Sequence, residues 1–108
     1  MLFSLLLSVS LNQAPTLSPD QFVEKMTTMR RAGDLLAAAR LGDACIEANP
    51  SSLRCHQEAG LLYLTLGSKM EDQSAHKKGI AYLTNYVKLA PENDRFIVKA
   101  KSILAAEK

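Results

Sequence analysis

Apolar residues recur every three or four positions along most of this chain, which is the spacing of one face of an α-helix. Phe22, Met26 and Met29 follow this spacing in the first such stretch, and residues 55–67 repeat it. Gly60 lies inside the second stretch and leaves a gap on its apolar face, where another helix can approach closely. The pattern therefore predicts an all-α fold in which at least one pair of helices packs at short range.

Helix starts and stops divide the first half of the chain into a helical pair. Ser18 is a good N-cap residue, and Pro19 suits the first position of a helix. Residues 32–34, Ala-Gly-Asp, supply a turn, and a second helix is expected over residues 35–48. Pro50 ends that helix, because the residue before a proline avoids the α-helical region.

A second helical pair follows with a different length. Ser51 or Ser52 is expected to cap its first helix, and Gly67 to end the apolar run of that helix. The polar residues 68–78 then form a longer turn or extend the next helix, which Pro91 ends. The sequence leaves these two interpretations of the inserted segment open.

The two pairs share one spacing of small residues and proline. Ala38 precedes Pro50 by twelve positions, as Gly79 precedes Pro91, and residues 19–52 make one period of 34 residues. This doubled pattern resembles the tetratricopeptide repeat, a helix–turn–helix unit with a period of about 34 residues.

The resemblance implies a short helix–turn–helix solenoid of about five helices. Its domain would cover residues 15–108, with repeats over 19–52 and 53–93 and a capping helix over 94–108. Each unit of such an array buries its apolar face only against its neighbours, so two repeats and a cap are close to the minimum. The resemblance implies a protein-binding scaffold and names no ligand.

The first residues form a separate apolar segment. Residues 2–11 are almost wholly apolar, but about ten residues are too few to span a bilayer as a helix. They match the apolar centre of a secretory signal peptide, although the first Lys or Arg is Lys25. Residues 1–14 are therefore interpreted as a signal peptide or as an apolar N-terminal helix. Export to the periplasm or the exterior is favoured over a cytoplasmic location.

Composition and charge exclude several classes of function. The chain of 108 residues is long enough for one domain, and 47% of its residues are apolar. A formal net charge of +2 is too small to indicate binding to nucleic acid or to an anionic membrane. Phosphate-binding glycine loops and the common hydrolase and kinase signatures are missing from the sequence, so we expect no enzyme and no cofactor.

The two cysteines and two histidines are the remaining candidates for chemistry. Cys45 and Cys55 lie ten positions apart on either side of the Pro50 turn, which makes them a candidate disulfide if the chain is exported. The alternative is two small buried thiols that fill helix contacts. His56 and His76 lack neighbours with the spacing of a metal site, so no metal is expected.

By the resemblance, the first helix of each pair lines the concave face of the array, and this face is the predicted partner-binding surface. This surface mixes cations with apolar residues. The predicted binding residues are Arg30, Arg31, Arg54, Gln57, Leu61, Leu64, Arg95 and Lys99.

Some tetratricopeptide proteins clamp a C-terminal carboxylate with cations and amides on this face. Arg95 and Lys99 match the two cations of that clamp, but Val23, Thr27 and Glu58 stand in its other three places. A clamp for chaperone tails is therefore disfavoured.

These observations favour a non-catalytic interaction module, a small adaptor, scaffold or assembly factor that holds a peptide or a partner subunit. Two alternatives stay open from the sequence. The chain could be a structural subunit that forms a homodimer or packs end to end through its terminal helices. It could also be a regulatory fragment of a longer protein.

Overall fold

The computed structural model describes residues 17–107, and these residues form five α-helices without a strand. The helices are α1 (Pro19–Arg31), α2 (Leu35–Ala48), α3 (Leu53–Met70), α4 (Gln73–Leu89) and α5 (Ile97–Ala105). The all-α class with about five helices is thereby confirmed. The segment 1–14, interpreted as a signal peptide or an apolar helix, lies outside the described residues.

Side-chain caps set the starts of the first four helices. The Ser18 hydroxyl accepts a hydrogen bond from the backbone N–H of Gln21, whose side chain accepts one from the N–H of Ser18 in return. Asp34, Ser52 and Asp72 cap α2, α3 and α4, where a side-chain oxygen of each accepts a hydrogen bond from the backbone of the first helical turn. Each such cap is worth about 0.5–2 kcal/mol, so short polar residues fix where the apolar stretches become helical.

The helices stack in the order of the chain. α1 packs against α2, α2 against α3, α3 against α4, and α5 against α4. α1 also contacts α3 directly, which places the first helices of the two hairpins side by side. Since α3 has neighbours on both of its sides, it is the central helix of the stack.

Small residues bring α3 close to the helices beside it. A methyl group added to Gly42 of α2 would lie 2.7 Å from the methyl carbon of Ala59 on α3. One added to Gly79 of α4 would lie 2.8 Å from the backbone nitrogen of Leu64 and 2.9 Å from the carbonyl oxygen of Gly60. Real methyl groups do not approach so closely, so the two helical contacts of α3 require glycine.

The turn of the second hairpin lies later than the sequence suggested. Gly67 does not end a helix; it lies inside α3, where an added methyl group would be 2.8 Å from the backbone nitrogen of His76. The chain turns instead at Glu71, the one described residue other than glycine with a positive φ, at 51°. Residues 68–78 therefore lengthen both α3 and α4, because Gly67 serves a helix contact and Asp72 provides the cap of α4.

The last helix, α5, begins at Ile97, three residues after the start expected for the capping helix at position 94. Asp94 accepts hydrogen bonds from the Tyr86 hydroxyl at 2.5 Å and from the Phe96 backbone N–H at 3.0 Å. The Tyr86 and Phe96 rings meet edge to face with centroids 5.1 Å apart. These contacts hold the chain in a turn before Ile97, where α5 begins.

The close contact between α3 and α4 predicts that Gly79→Ala destabilises the fold. Alanine is normally better than glycine in a helix by about 1 kcal/mol. Here the new methyl group meets backbone atoms of α3, which cannot rotate away, so we expect a net loss of about 1–3 kcal/mol in the free energy of unfolding. Urea denaturation measures it, with Ser68→Ala on the exposed side of α3 as the control. A Gly79→Ala variant as stable as wild type would contradict this contact.

Candidate functional site

A shallow groove runs between the C-terminal half of α1 and the middle of α3. It encloses about 300 Å³. Its lining combines apolar, hydroxyl and charged side chains, namely Met26, Thr27, Arg30, Glu58, Leu61, Leu62 and Thr65. Met26 and Leu62 are buried, while Leu61 is half-buried and Arg30 is exposed. The groove therefore has an apolar floor and an ionic rim.

Helical spacing explains why these side chains meet. Residues 58, 61, 62 and 65 are separated by three, four and seven positions, which puts them on one face of α3. Arg54 in the first turn of α3 lies 3.4 Å from Asp20 in the first turn of α1, so the two helices run side by side in the same direction. This ion pair shows that the first turns of α1 and α3 lie level with each other. Both of its partners are more than half exposed, so it contributes little stability.

The structure brings together only part of the predicted binding surface. Arg30 and Leu61 line the groove. Arg31 and Arg54 are exposed outside it, and Gln57 is half-buried. Leu64 is half-buried against Gly79 of α4 instead. Arg95 and Lys99 are exposed in the segment around the start of α5, away from the groove.

Five lining residues were missing from the predicted set. They complete the floor and the rim of the groove and are Met26, Thr27, Glu58, Leu62 and Thr65. The three-and-four spacing of residues 58–65 was the signal that could have found Glu58 and Leu62. Met26 was placed on the apolar face of the first helix, and the structure buries it, with 1% of its surface exposed.

A disulfide joins Cys45 of α2 to Cys55 of α3. Both cysteines are fully buried, and their α carbons are 5.5 Å apart. The bridge closes the turn around Pro50 and ties the first hairpin to the second. Because α1 packs on α2, the bridge also helps to hold α1 beside α3, which is the spacing that forms the groove.

A cluster around the Asp43 carboxylate joins α2, α3 and α4. We call it the carboxylate cluster. Asp43 accepts hydrogen bonds from the hydroxyl of Tyr63 at 2.5 Å, from the ammonium of Lys78 at 2.9 Å and from the hydroxyl of Tyr82. The Lys78 nitrogen also lies 4.9 Å above the centre of the Tyr63 ring. One carboxylate thereby connects three helices.

The environment fixes the charge state of this cluster. Burial raises the pKa of Asp43, but the hydrogen bonds from the two tyrosines and Lys78 outweigh it and hold the pKa below its ordinary value. Burial, followed by the bonds to Asp43, raises the pKa of Tyr63 and of Tyr82. Near neutral pH the cluster therefore consists of an ionised carboxylate and neutral phenol donors. Hydrogen bonds of this kind stabilise the packing of the three helices.

The two histidines make different contacts. His56 is 4% exposed, and its Nε2 lies 2.9 Å from the carbonyl oxygen of Pro50. Since a carbonyl only accepts, Nε2 carries a proton, and Nδ1 has no hydrogen-bond partner among the described residues. The His76 Nε2 lies 2.6 Å from Glu107, which links α4 to the chain just after α5.

Residues 17–107 contain no group of three or more His, Cys, Asp or Glu side chains placed to hold a metal ion. None of the five helices has the length and the apolar character needed to cross a membrane.

Comparison of the chain with protein-family models, with curated proteins and with solved structures finds no significant match. The tetratricopeptide resemblance therefore stays a prediction, which depends on the doubled spacing of small residues and proline in the sequence.

The carboxylate cluster predicts a dependence of stability on pH. Asp43→Asn keeps the shape of the side chain but removes its charge, so we expect the free energy of unfolding at pH 7 to fall by about 1–3 kcal/mol. A lowered folded-state pKa contributes stability above the unfolded value near 4, and that stability is lost as the pH falls through the folded-state pKa. The difference between the variant and wild type should therefore shrink below about pH 4.

Chemical denaturation across this pH range measures the difference. The control is Asp20→Asn, whose carboxylate is 82% exposed and should change stability little at any pH. A constant difference between Asp43→Asn and wild type down to low pH would show that the charge of Asp43 is unimportant.

Proposed function

We propose that this chain is a non-catalytic binding module that holds a peptide or a segment of a partner protein in the groove between α1 and α3. The observation that carries the proposal is the groove itself, in which an apolar floor lies between charged and hydroxyl side chains. An apolar side chain seated on such a floor gains about 1.5–3 kcal/mol when it is fully buried. A few seated side chains are enough for a specific contact of moderate affinity.

The mixed charge of the groove favours a peptide over other ligands. Arg30 and Glu58 both line it, so a chain of phosphates would meet a carboxylate as well as a guanidinium. A peptide offers carbonyl oxygens for Arg30 and N–H groups for Glu58, with apolar side chains for Leu61. Arg31, exposed in the same turn as Arg30, adds positive charge at one end and would affect the rate of encounter more than the final affinity.

The tetratricopeptide resemblance supports the same function. In arrays of this kind the first helices of successive repeats line a common face, and here α1 and α3 lie side by side. We propose that the chain is a minimal array of this type, with α5 as its cap. As an adaptor or assembly factor it would need no catalytic group, no metal and no cofactor.

We also propose that the module works in an exported location, in the periplasm or outside the cell. Two independent features support this location. Residues 2–11 have the length and composition of a signal-peptide core. The bridge between Cys45 and Cys55 is of a kind that persists in oxidising compartments.

Photo-crosslinking from the groove tests the proposed function. A photoreactive amino acid is placed at Thr65 in the groove or, as a control, at Lys77 on the exposed side of α4. After illumination in the native host, a partner should be captured from Thr65 and not from Lys77. Capture from Lys77 alone would place binding on α4 and contradict the proposal.

Binding of the captured partner should then depend on groove residues. Leu61→Ala removes apolar contact and should weaken binding about tenfold, mainly through faster dissociation. Arg30→Glu should slow association and change its dependence on salt. Surface plasmon resonance measures both rates, and circular dichroism checks that each variant folds. The matched control is Lys101→Glu on α5, which should bind as wild type does, because Lys101 is exposed and outside the groove.

A further inference from the structure

The first hairpin has a second open surface, which shares no lining residue with the groove and consists of two adjoining depressions. The first depression encloses about 550 Å³ and places Leu17, Met29 and Leu41 beside polar residues of α1. The second encloses about 480 Å³ on α2, shares Leu41 and continues to Leu36 and Ala37. Since Leu41 lines both depressions, they form one surface, which we call the outer face.

Helical spacing puts the outer face and the groove on opposite sides of α1. The polar α1 residues of the first depression lie at positions 21, 24, 25 and 28, so they share one side of the helix. The α1 residues of the groove lie at positions 26, 27 and 30, about half a turn away. Among the described helices, α1 and α2 pack against each other and against α3, so none of these helices covers the outer face.

The outer face leaves apolar side chains in contact with solvent at one end of the stack. Met29 is 37% exposed and Leu36 is 47% exposed, while Leu17 and Leu41 are half-buried. At the other end of the stack, α5 packs against α4. The terminal units of a stacked array need a cover on their outer side. Within residues 17–107 the first hairpin has no such cover.

The chain itself supplies an apolar segment at the edge of this face. Leu17 lines the first depression, and residues 2–11 lie just before it, separated by residues 12–16. Five extended residues span at most about 17 Å. The 13 residues of α1 make a helix about 20 Å long. The apolar segment can therefore lie along most of the first depression and reach Leu41.

Charge and tethering favour this segment over a separate partner. Each depression has one anion and one cation in its lining, Glu24 with Lys25 and Asp34 with Arg40, so the outer face has no net charge. Residues 1–16 contain no charged side chain, so they leave these pairs undisturbed. A short linker gives the segment an effective concentration in the millimolar range. A contact too weak to hold a separate protein can therefore form within one chain.

We infer that residues 2–11 dock on the outer face of their own chain and cover the first hairpin as α5 covers α4. The inference concerns the full chain. If export removes residues 1–14, the outer face opens in the processed protein, so docking and the proposed location can fail separately. Peptide binding in the groove is also independent of it, because the two surfaces share no residue.

Photo-crosslinking within the full chain tests the docking. The oxidised chain is made by cell-free synthesis, its intact mass confirms that residues 1–14 are present, and a benzophenone amino acid replaces Leu6. Illumination should join position 6 to α1 or α2 of the same chain, near Met29 or Leu41, and the product should run as a monomer on a denaturing gel. Mass spectrometry of tryptic fragments locates the crosslink. The control is the same amino acid at Val98, which is 74% exposed on α5 and should join neither helix.

Thermal unfolding of full-length variants provides a second test. Leu6→Asp should lower the midpoint by about 4 °C or more, because it places a charge in the apolar contact. Met29→Ser removes apolar surface from the outer face and should also lower the midpoint. The two changes combined should lower it by less than the sum of their separate effects, since each weakens the same contact. Val98→Asp is the matched control and should leave the midpoint unchanged, because Val98 is exposed and lies outside the outer face.

Three results would overturn the inference. The first is a midpoint that Leu6→Asp leaves unchanged, which would show that the segment makes no stabilising contact. The second is a crosslink from position 6 to a second copy without one inside the same chain. The third is a crosslink from position 6 to Leu61 or Thr65, which would place the segment in the groove instead.

Discussion

The close approach of α3 to the helices on either side of it is the constraint on which this structure depends. Gly42 admits Ala59 on one side, and Gly79 admits the α3 backbone near Gly60 on the other. A larger side chain at any of these contacts would push two helices apart and open the core. Short-range packing at these contacts adds to the burial of larger side chains such as Met26 and Leu83, which are fully buried.

The groove and the carboxylate cluster both follow from this packing. α1 reaches α3 only because α2, to which it is paired, lies close to α3 and is bridged to it by Cys45 and Cys55. On the other side, Asp43 of α2 reaches Tyr82 of α4 across α3, which a wider spacing of the helices would prevent. The same small residues thus set the width of the candidate binding site and allow one carboxylate to tie three helices together.

Local signals in the sequence predicted those helix ends that are set by residues close to them in the chain. The Ser18 cap, the turn at residues 32–34 and the stop before Pro50 gave the bounds of the first hairpin. The turn of the second hairpin was expected too early, at Gly67. A glycine can end a helix or allow a neighbouring helix to approach, and only the position of α4 distinguishes these two roles.

The candidate site was harder to predict because its parts lie far apart in sequence. Asp43 is 20 residues from Tyr63 and 39 from Tyr82, so no local spacing indicates their contact. The resemblance put Arg30 and Leu61 on one face, and both line the groove. Leu64 was assigned to the same face, but its side chain lies against Gly79 of α4 instead.

Nuclear Overhauser measurements across α3 test this account most directly. If the helices approach as described, the α hydrogens of Gly42 should show a strong cross-peak to the methyl group of Ala59, because a methyl group added to Gly42 would lie only 2.7 Å from that carbon. The α hydrogens of Gly79 should likewise show cross-peaks to the backbone amide of Leu64. A folded, helical chain that lacks both sets of cross-peaks would contradict the packing from which the groove and the carboxylate cluster have been derived.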